Sequence, residues 1–149
     1  MVVAQVYGWL IDDHGRVLVQ GTPEGFNLPG GSPELCDEDA VATLAREALE
    51  ESQVLVDDAV LLGYEEVLRN GDAVALVRMA GRIRRFEARH PDPDGGRLLE
   101  RRMTSLDTAA RLLSWGDSGV AQAAAAGEVA ARRWDLPVEV PTAADLYLT

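Results

Sequence analysis

The sequence predicts a mixed α/β (α+β) fold in which helices pack on a mixed central sheet. Strand-like segments occur both before and after one amphipathic helix, and two more helical segments follow them. This order of elements favours a sheet that is flanked by helices. The 149 residues show no internal repeat and no break in composition, and a chain of this length buries a normal core. We therefore expect a single domain over residues 1–149.

The N-terminal part of the chain predicts a β-hairpin. Val2–Ile11 is rich in β-branched and aromatic residues and predicts a strand. Residues 12–15 (Asp-Asp-His-Gly) have turn composition, and residues 16–19 return as a second strand. Residues 21–25 predict a further loop, which leads into a pair of glycines.

The second half of the chain predicts further strands and then helices. Residues 70–72 (Asn-Gly-Asp) give a strong hairpin turn signal, and the prolines and glycines of residues 90–96 predict a loop. The other predicted elements are strands over 59–68, 73–85 and 97–103 and helices over 106–113 and 120–134. We expect Trp115 and Trp134 to pack in the core or, alternatively, at a homodimer contact.

The central helix is predicted by apolar residues that recur at helical spacing. The stripe consists of Ala40, Val41, Leu44, Ala45, Ala48 and Leu49. Asp37 is the predicted N-cap, with Glu38 and Asp39 in the first turn, where the helix dipole favours negative charge. The helix should therefore bury one face and expose the opposite one.

Three carboxylates are predicted to project together from that opposite face. Glu47, Glu50 and Glu51 stand at positions i, i+3 and i+4. A hard cation such as Mg²⁺ takes oxygen ligands and would offset their mutual repulsion. Arg46 is placed to hold one carboxylate through a forked hydrogen bond. The alternative interpretation is a solvated acidic helix face.

Charge and composition exclude several classes of function. The net charge of −11 argues against a nucleic-acid duplex as partner, because a phosphate backbone needs a basic surface. No apolar run is long enough to span a bilayer, so we expect no membrane partner. The single cysteine, Cys36, and an N-terminus without a basic segment indicate a cytoplasmic protein.

Arginines concentrate in one segment of this acidic chain. Residues 82–102 hold seven of the 14 basic residues: Arg82, Arg84, Arg85, Arg89, Arg97, Arg101 and Arg102. Such a cluster is suited to binding substrate phosphates. The alternative is a set of exposed charges that pair with surface acids.

The glycines and the helix together resemble the signature of the Nudix hydrolases. The residues that carry the resemblance are Leu28-Pro29-Gly30-Gly31, then Glu38, and, after seven residues, Arg46-Glu47 and Glu50-Glu51. Three positions depart from the family pattern. Six residues instead of five separate Gly31 from Glu38, Ala48 replaces a larger apolar residue, and Gln53 replaces a glycine expected to end the helix with φ > 0.

The resemblance implies an α/β/α sandwich and a metal-dependent hydrolase that cleaves the diphosphate linkage of a nucleoside diphosphate joined to another group. It implies that Glu47, Glu50 and Glu51, with the Gly31 carbonyl, hold Mg²⁺ or Mn²⁺. Glu47, Glu50 and Arg46 are the implied catalytic set. Gly30 and Glu38 would support the loop, and the extra loop residue is expected to bulge among residues 32–36.

The remaining site residues lie outside the signature. In relatives the general base often lies in a loop, for which Glu87, Asp92, Asp94 and Glu100 are candidates. Arg82, Arg84 and Glu100 are predicted to contact a small nucleotide-type substrate. Two alternatives stay open: a Nudix-fold protein that binds a nucleotide without cleaving it, and an acidic structural domain without a ligand.

Overall fold

The computed structural model describes residues 1–138 and 144–148, which form one eight-stranded sheet with helices on both faces. The strands are β1 (Val2–Ile11), β2 (Val17–Thr22), β3 (Gly25–Asn27), β4 (Gly30–Gly31), β5 (Val54–Arg69), β6 (Asp72–Phe86), β7 (Glu100–Thr104) and β8 (Leu146–Leu148). The helices are α1 (Ala40–Ser52), α2 (Leu106–Leu113) and α3 (Gly116–Trp134).

The sheet is mixed, with strand order β5-β6-β1-β2-β7-β8. β1 runs parallel to β6, and the other paired strands are antiparallel. β1 pairs with β2 where Ile11 faces Val17, whereas β4 pairs with β1 at Val6 and Tyr7. The two glycines of β4 are therefore inserted beside the middle of β1.

Each face of the sheet buries its own apolar cluster. One cluster packs Leu44 and Ala48 of α1 against residues such as Val6 and Leu10. The other packs α2 and α3 against residues such as Trp9. Successive strand residues point to opposite faces, so a strand covered on both sides is apolar almost throughout. These layers confirm the predicted α/β/α sandwich.

Several predicted element boundaries need correction. β5 begins at Val54 directly after α1, and not at residue 59. α3 begins at Gly116 and not at residue 120. The sequence does not mark this start, because the N-cap residue is Trp115, which makes no side-chain capping bond. The loop predicted over residues 21–25 includes the end of β2 and leads into β3, while β8 lies in a tail for which no strand was predicted.

Trp115 and Trp134, which were expected to pack in the core, both pack in the apolar cluster beneath α2 and α3. Trp115 lies beside Tyr7 and Trp9, and Trp134 also donates its Nε1–H to Asp58 Oδ2 at 2.7 Å. This confirms the prediction of core packing. Among the described residues, no helix combines the length and apolar character needed to cross a membrane.

Candidate functional site

The two glycines of β4 bring the backbone directly against the acidic face of α1. Gly30 has a φ of 154°, and a Cβ there would lie 2.1 Å from the Val6 carbonyl oxygen. Its amide donates to Glu51 Oε1 at 2.9 Å. A Cβ on Gly31 would lie 2.6 Å from Glu47 Oε1. Glycine is therefore required at position 30, whereas a side chain at position 31 would displace the Glu47 carboxylate.

Arg46 holds two of the predicted carboxylates together. Its NH1 group donates to Glu47 Oε1 at 2.9 Å and to Glu50 Oε2 at 3.3 Å. Two hydrogen bonds from one charged group hold both carboxylates in defined positions and stabilise that arrangement. The sequence predicted one carboxylate partner for Arg46, and the structure shows that the same guanidinium serves several.

Glu51 turns inward, away from Arg46. It accepts hydrogen bonds from the Gly30 amide and, at 3.4 Å, from Gln20 Nε2. Burial raises the pKa of Glu51 to about 8, with a further contribution from the Glu47 charge. Burial likewise raises the pKa of Glu47 and that of Glu50. Three neighbouring carboxylates whose charged forms are disfavoured make a suitable donor set for a divalent cation.

Asp37, and not Glu38, braces the loop against α1. The Asp37 carboxylate accepts from Arg46 NH2 at 2.9 Å and from the Glu34 amide at 2.9 Å. Hydrogen bonds from Arg46 hold the pKa of Asp37 well below its usual range. Because these donors occupy Asp37, the N-cap of α1 is Asp39, which accepts from the Ala42 amide.

The bracing role predicted for Glu38 is therefore wrong. Its side chain is exposed, and it makes no hydrogen bond or ion pair within the part of the chain that the structure describes. The turn at Leu35 and Cys36 is closed by Asp37, whose amide donates to the Glu34 carbonyl at 3.0 Å. This turn lies within residues 32–36, where the extra loop residue was expected.

The loop between β6 and β7 adds two more carboxylates. One oxygen each of Glu50, Asp92 and Asp94 lies within 4.8 Å of the others. The Asp94 amide donates to Asp92 Oδ1 at 3.0 Å, which fixes the two aspartates relative to each other. Of the four general-base candidates, these two are placed beside the glutamates of α1.

Gln53 joins this loop to the end of α1. Its φ of 51° confirms the left-handed conformation predicted for the end of the helix. The side chain donates to the Glu50 carbonyl at 3.0 Å and accepts from the His90 amide at 3.2 Å. These bonds offset part of the cost of a left-handed non-glycine residue. A glycine here would lack the tether to the acidic loop.

The other predicted site residues lie elsewhere. Arg82 faces Ile11 across the β1–β6 pair, on the sheet face away from α1, and its NH2 lies 3.9 Å from Asp13. Arg84 is exposed. Glu87 is exposed and pairs with Arg85, and Glu100 packs beside Gly21. The structure does not bring these residues to the glutamates.

No protein-family model matches the chain, and no curated protein matches it. Solved structures do match. A NUDIX hydrolase from Nitrosomonas europaea is 20% identical over 84% of this chain and 88% of its own, with a TM-score of 0.60. The chain has the Nudix fold.

Two further solved structures show the same similarity. The NUDIX domain of Shewanella oneidensis NrtR, in complex with ADP ribose, is 16% identical over 86% of this chain and 88% of its own, with a TM-score of 0.62. The Ap4A hydrolase of C. elegans is 16% identical over 84% of this chain and 98% of its own, with a TM-score of 0.53.

In this Nudix fold, Gln20 escaped the sequence analysis, and Arg101, predicted only as one of a cluster of arginines, has a structural role at the end of α1. Gln20 donates to Ser52 Oγ at 2.8 Å as well as to Glu51. Arg101 NH1 donates to the Ser52 carbonyl at 3.1 Å and to the Glu87 carbonyl at 2.9 Å. Nothing local in the sequence marks these residues, because each reaches the end of α1 from a distant strand.

The raised pKa of Glu51 gives the metal-free protein a distinct pH dependence. The ordinary pKa is 4.5 and the folded value is about 8, so between these values the folded protein keeps a proton that the unfolded chain releases. The free energy of unfolding should therefore fall as pH rises through this window. Denaturant titrations at pH 5, 6.5 and 8 should show the decline. Glu51→Gln should flatten it, the exposed control Glu66→Gln should not, and an unchanged slope in Glu51→Gln would contradict the assignment.

Proposed function

We propose that this protein is a metal-dependent hydrolase that cleaves the diphosphate linkage of a nucleoside diphosphate joined to another group. One observation carries the proposal. Glu50 of α1 converges with Asp92 and Asp94 of the loop before β7. Its neighbours Glu47 and Glu51 adjoin the two glycines of β4. A diphosphate would be repelled by this set unless cations lay between them.

The donor set fits Mg²⁺ or Mn²⁺. Both ions prefer oxygen ligands, and the site offers carboxylates whose pKa values are raised by burial. Glu47, Glu50 and Glu51, with the Gly31 carbonyl, would hold the ions. Bound there, such ions neutralise charge on the diphosphate oxygens and lower the pKa of a bound water.

The protein's own residues then have separate roles. Glu47 and Glu50 touch the reacting groups, and Arg46 positions both carboxylates. Asp37 takes the structural place that the resemblance assigned to Glu38, which makes Glu38 the extra residue of the loop. Asp92 and Asp94 are the acids best placed to receive a proton from the attacking water.

The similar structures are consistent with a small nucleotide-type substrate. One was determined with ADP ribose, and another is named as an Ap4A hydrolase. Their ligands differ, as is usual for one fold that carries different sites. They therefore support the class of bond and not one molecule.

Divalent metal should stabilise the folded protein. At a concentration about 100 times the dissociation constant, a metal that binds the folded state adds roughly 2.7 kcal/mol to the free energy of unfolding. Thermal melts with and without Mn²⁺ or Mg²⁺ should show this as a higher melting temperature. The double variant Glu50→Gln/Glu51→Gln should lose the gain, and Glu66→Gln should keep it. A gain that persists in the double variant would place the metal elsewhere.

The reaction is tested with a substrate panel. Nucleoside triphosphates, dinucleoside polyphosphates, nucleotide sugars and ADP-ribose should be incubated with each metal at neutral to alkaline pH. We expect at least one to be cleaved at a diphosphate linkage, with products identified by phosphorus NMR. Tight binding of one nucleotide without turnover under any metal would instead favour a nucleotide-binding protein.

A further inference from the structure

Two buried polar residues, Gln20 and Arg101, lie beneath the end of α1. Gln20 of β2 faces Arg101 of β7 across the strand pair, and their relative exposures are 2% and 3%. Residues that face each other across antiparallel strands share one face of the sheet. Burying an amide and a guanidinium is costly unless both are hydrogen-bonded. The hydrogen bonds of these two residues therefore indicate what their burial achieves.

Both residues bind Ser52, the last residue of α1. Gln20 Nε2 donates to the Ser52 hydroxyl at 2.8 Å, and Arg101 NH1 donates to the Ser52 carbonyl at 3.1 Å. The last carbonyls of a helix have no partner within the helix, and a cation is favourable at that end of the helix dipole. The side chain and the backbone of one residue are thus held from two strands, which fixes the last turn of α1 on the sheet.

Gln20 also reaches the carboxylate of the preceding residue, Glu51. Its Nε2 donates to Glu51 Oε1 at 3.4 Å, and the Gly30 amide donates to the same oxygen at 2.9 Å. Glu51 Oε2 accepts no hydrogen bond from the residues that the structure describes. Because both donors engage Oε1, they restrict the rotation of the carboxylate and leave Oε2 to a cation.

Arg101 connects this end of α1 to the loop that carries Asp92 and Asp94. The same NH1 group that donates to Ser52 donates to the Glu87 carbonyl at 2.9 Å. Glu87 directly follows β6, at the start of that loop. One guanidinium therefore holds the end of the helix and the beginning of the loop relative to each other. At 3% exposure Arg101 presents almost no surface to a substrate, so its effect on the site is indirect.

We propose that Gln20 and Arg101 are positioning residues of the cation site, which set the carboxylates of α1 and of the loop before β7 for binding Mg²⁺ or Mn²⁺. Gln20 acts through Ser52 and directly on Glu51, whereas Arg101 acts through two backbone carbonyls. Replacing residues that orient metal ligands without binding the metal typically lowers metal affinity or activity about 10- to 100-fold. The inference rests on the proposed function, because the cations are those of the proposed reaction.

Binding of Mn²⁺ to the metal-free protein tests the inference without a substrate. In calorimetric titrations, Gln20→Met should bind Mn²⁺ about tenfold more weakly, because methionine keeps the length of the side chain and has no donor. Val19→Ala is the matched control, since Val19 precedes Gln20 on β2 and is buried in the apolar cluster on the other sheet face. It should lower the melting temperature and leave Mn²⁺ affinity unchanged. Unchanged affinity in Gln20→Met, or equal weakening in both variants, would overturn the inference.

Two variants of Arg101 test the second residue. Arg101→Met should lose about tenfold in Mn²⁺ affinity, and Arg101→Lys, which keeps the charge and a donor, should lie between it and the wild type. Because both residues act through Ser52, the double variant Gln20→Met/Arg101→Met should lose less than the product of the two single losses. If Arg101→Met fails to fold, wild-type affinity in Arg101→Lys would overturn the role of Arg101.

The positioning role and the proposed function fail in different ways. Mn²⁺ binding that depends on Gln20, without turnover of any compound in the panel, would support the positioning role and contradict the hydrolase. Turnover together with unchanged Mn²⁺ affinity in Gln20→Met would overturn the positioning role and leave the hydrolase standing. Where turnover occurs, Gln20→Met should raise the Mn²⁺ concentration needed for the half-maximal rate and leave the KM for the nucleotide at saturating metal unchanged. A wild-type protein that binds no Mn²⁺ would contradict both.

Discussion

Replacing Glu50 by glutamine should lower the rate of hydrolysis by about 100- to 1,000-fold, the usual effect of removing one preorganised charge from a reaction site. Glu50 accepts from Arg46 and lies with Asp92 and Asp94 in one group of carboxylates. Glutamine keeps the shape and the contact with Arg46 but cannot bind a divalent cation with the same strength. The loss should fall on kcat, because the ground-state contacts of the nucleotide are retained.

The measurement uses the substrate that the panel identifies, with kcat and KM determined at saturating Mg²⁺. Glu66→Gln is the matched control, since Glu66 is an exposed glutamate of β5. Circular dichroism and thermal melts check that both variants fold. A Glu50→Gln enzyme with unchanged kcat would show that the reaction occurs at another site.

Asp37→Asn should lower activity by about 10- to 100-fold, as expected for a group that orients a residue in direct contact with the reaction site. The neighbouring change Glu38→Gln should have no measurable effect. Asp37 accepts from two nitrogens of Arg46, whereas Glu38 is exposed. Without the Asp37 charge, Arg46 is free to leave Glu47 and Glu50.

These two variants show whether the residue that supports Arg46 is the one indicated by sequence spacing or the one indicated by the hydrogen bonds of the structure. Spacing counted back from Arg46 favours Glu38, and hydrogen bonding favours Asp37. Asp37→Glu should restore part of the lost rate if the charge is what matters. Equal activity in Asp37→Asn and Glu38→Gln, or a larger loss in Glu38→Gln, would contradict the assignment to Asp37.

What the sequence predicted well depends on local periodicity. The turn of a helix places Glu47, Glu50 and Glu51 relative to one another. The predicted buried stripe was only partly right, because Val41 and Leu49 are exposed and Glu51 turns inward. The same reasoning extends to Arg46, whose partners lie within one helical turn. It fails at Asp37, because two adjacent acids compete for one arginine and local spacing does not distinguish them.

Contacts between distant segments could not be predicted in this way. Asp92 and Asp94 reach Glu50 because the hydrogen bonds of Gln53 hold their loop beside α1. Arg82 and Glu100 were expected near the substrate, but strand register places them on the other sheet face. A shift of one residue in register would reverse that placement, and composition carries no information about register.

The pairing of β4 with β1 limits the motion of the two glycines at the site. The Gly8 amide donates to the Pro29 carbonyl at 3.0 Å, and β4 continues this pairing at Tyr7 and Val6. The glycines therefore belong to the same cooperative unit as the central strand, and opening them locally would require partial unfolding of the sheet. The turn at Leu35 and Cys36 and the loop that carries Asp92 and Asp94 lie outside the sheet. Side-chain hydrogen bonds hold them beside α1, between Arg46 and Asp37 and between His90 and Gln53. For the proposed hydrolase, we therefore expect substrate entry and product release to require movement of these two segments and not of the glycines.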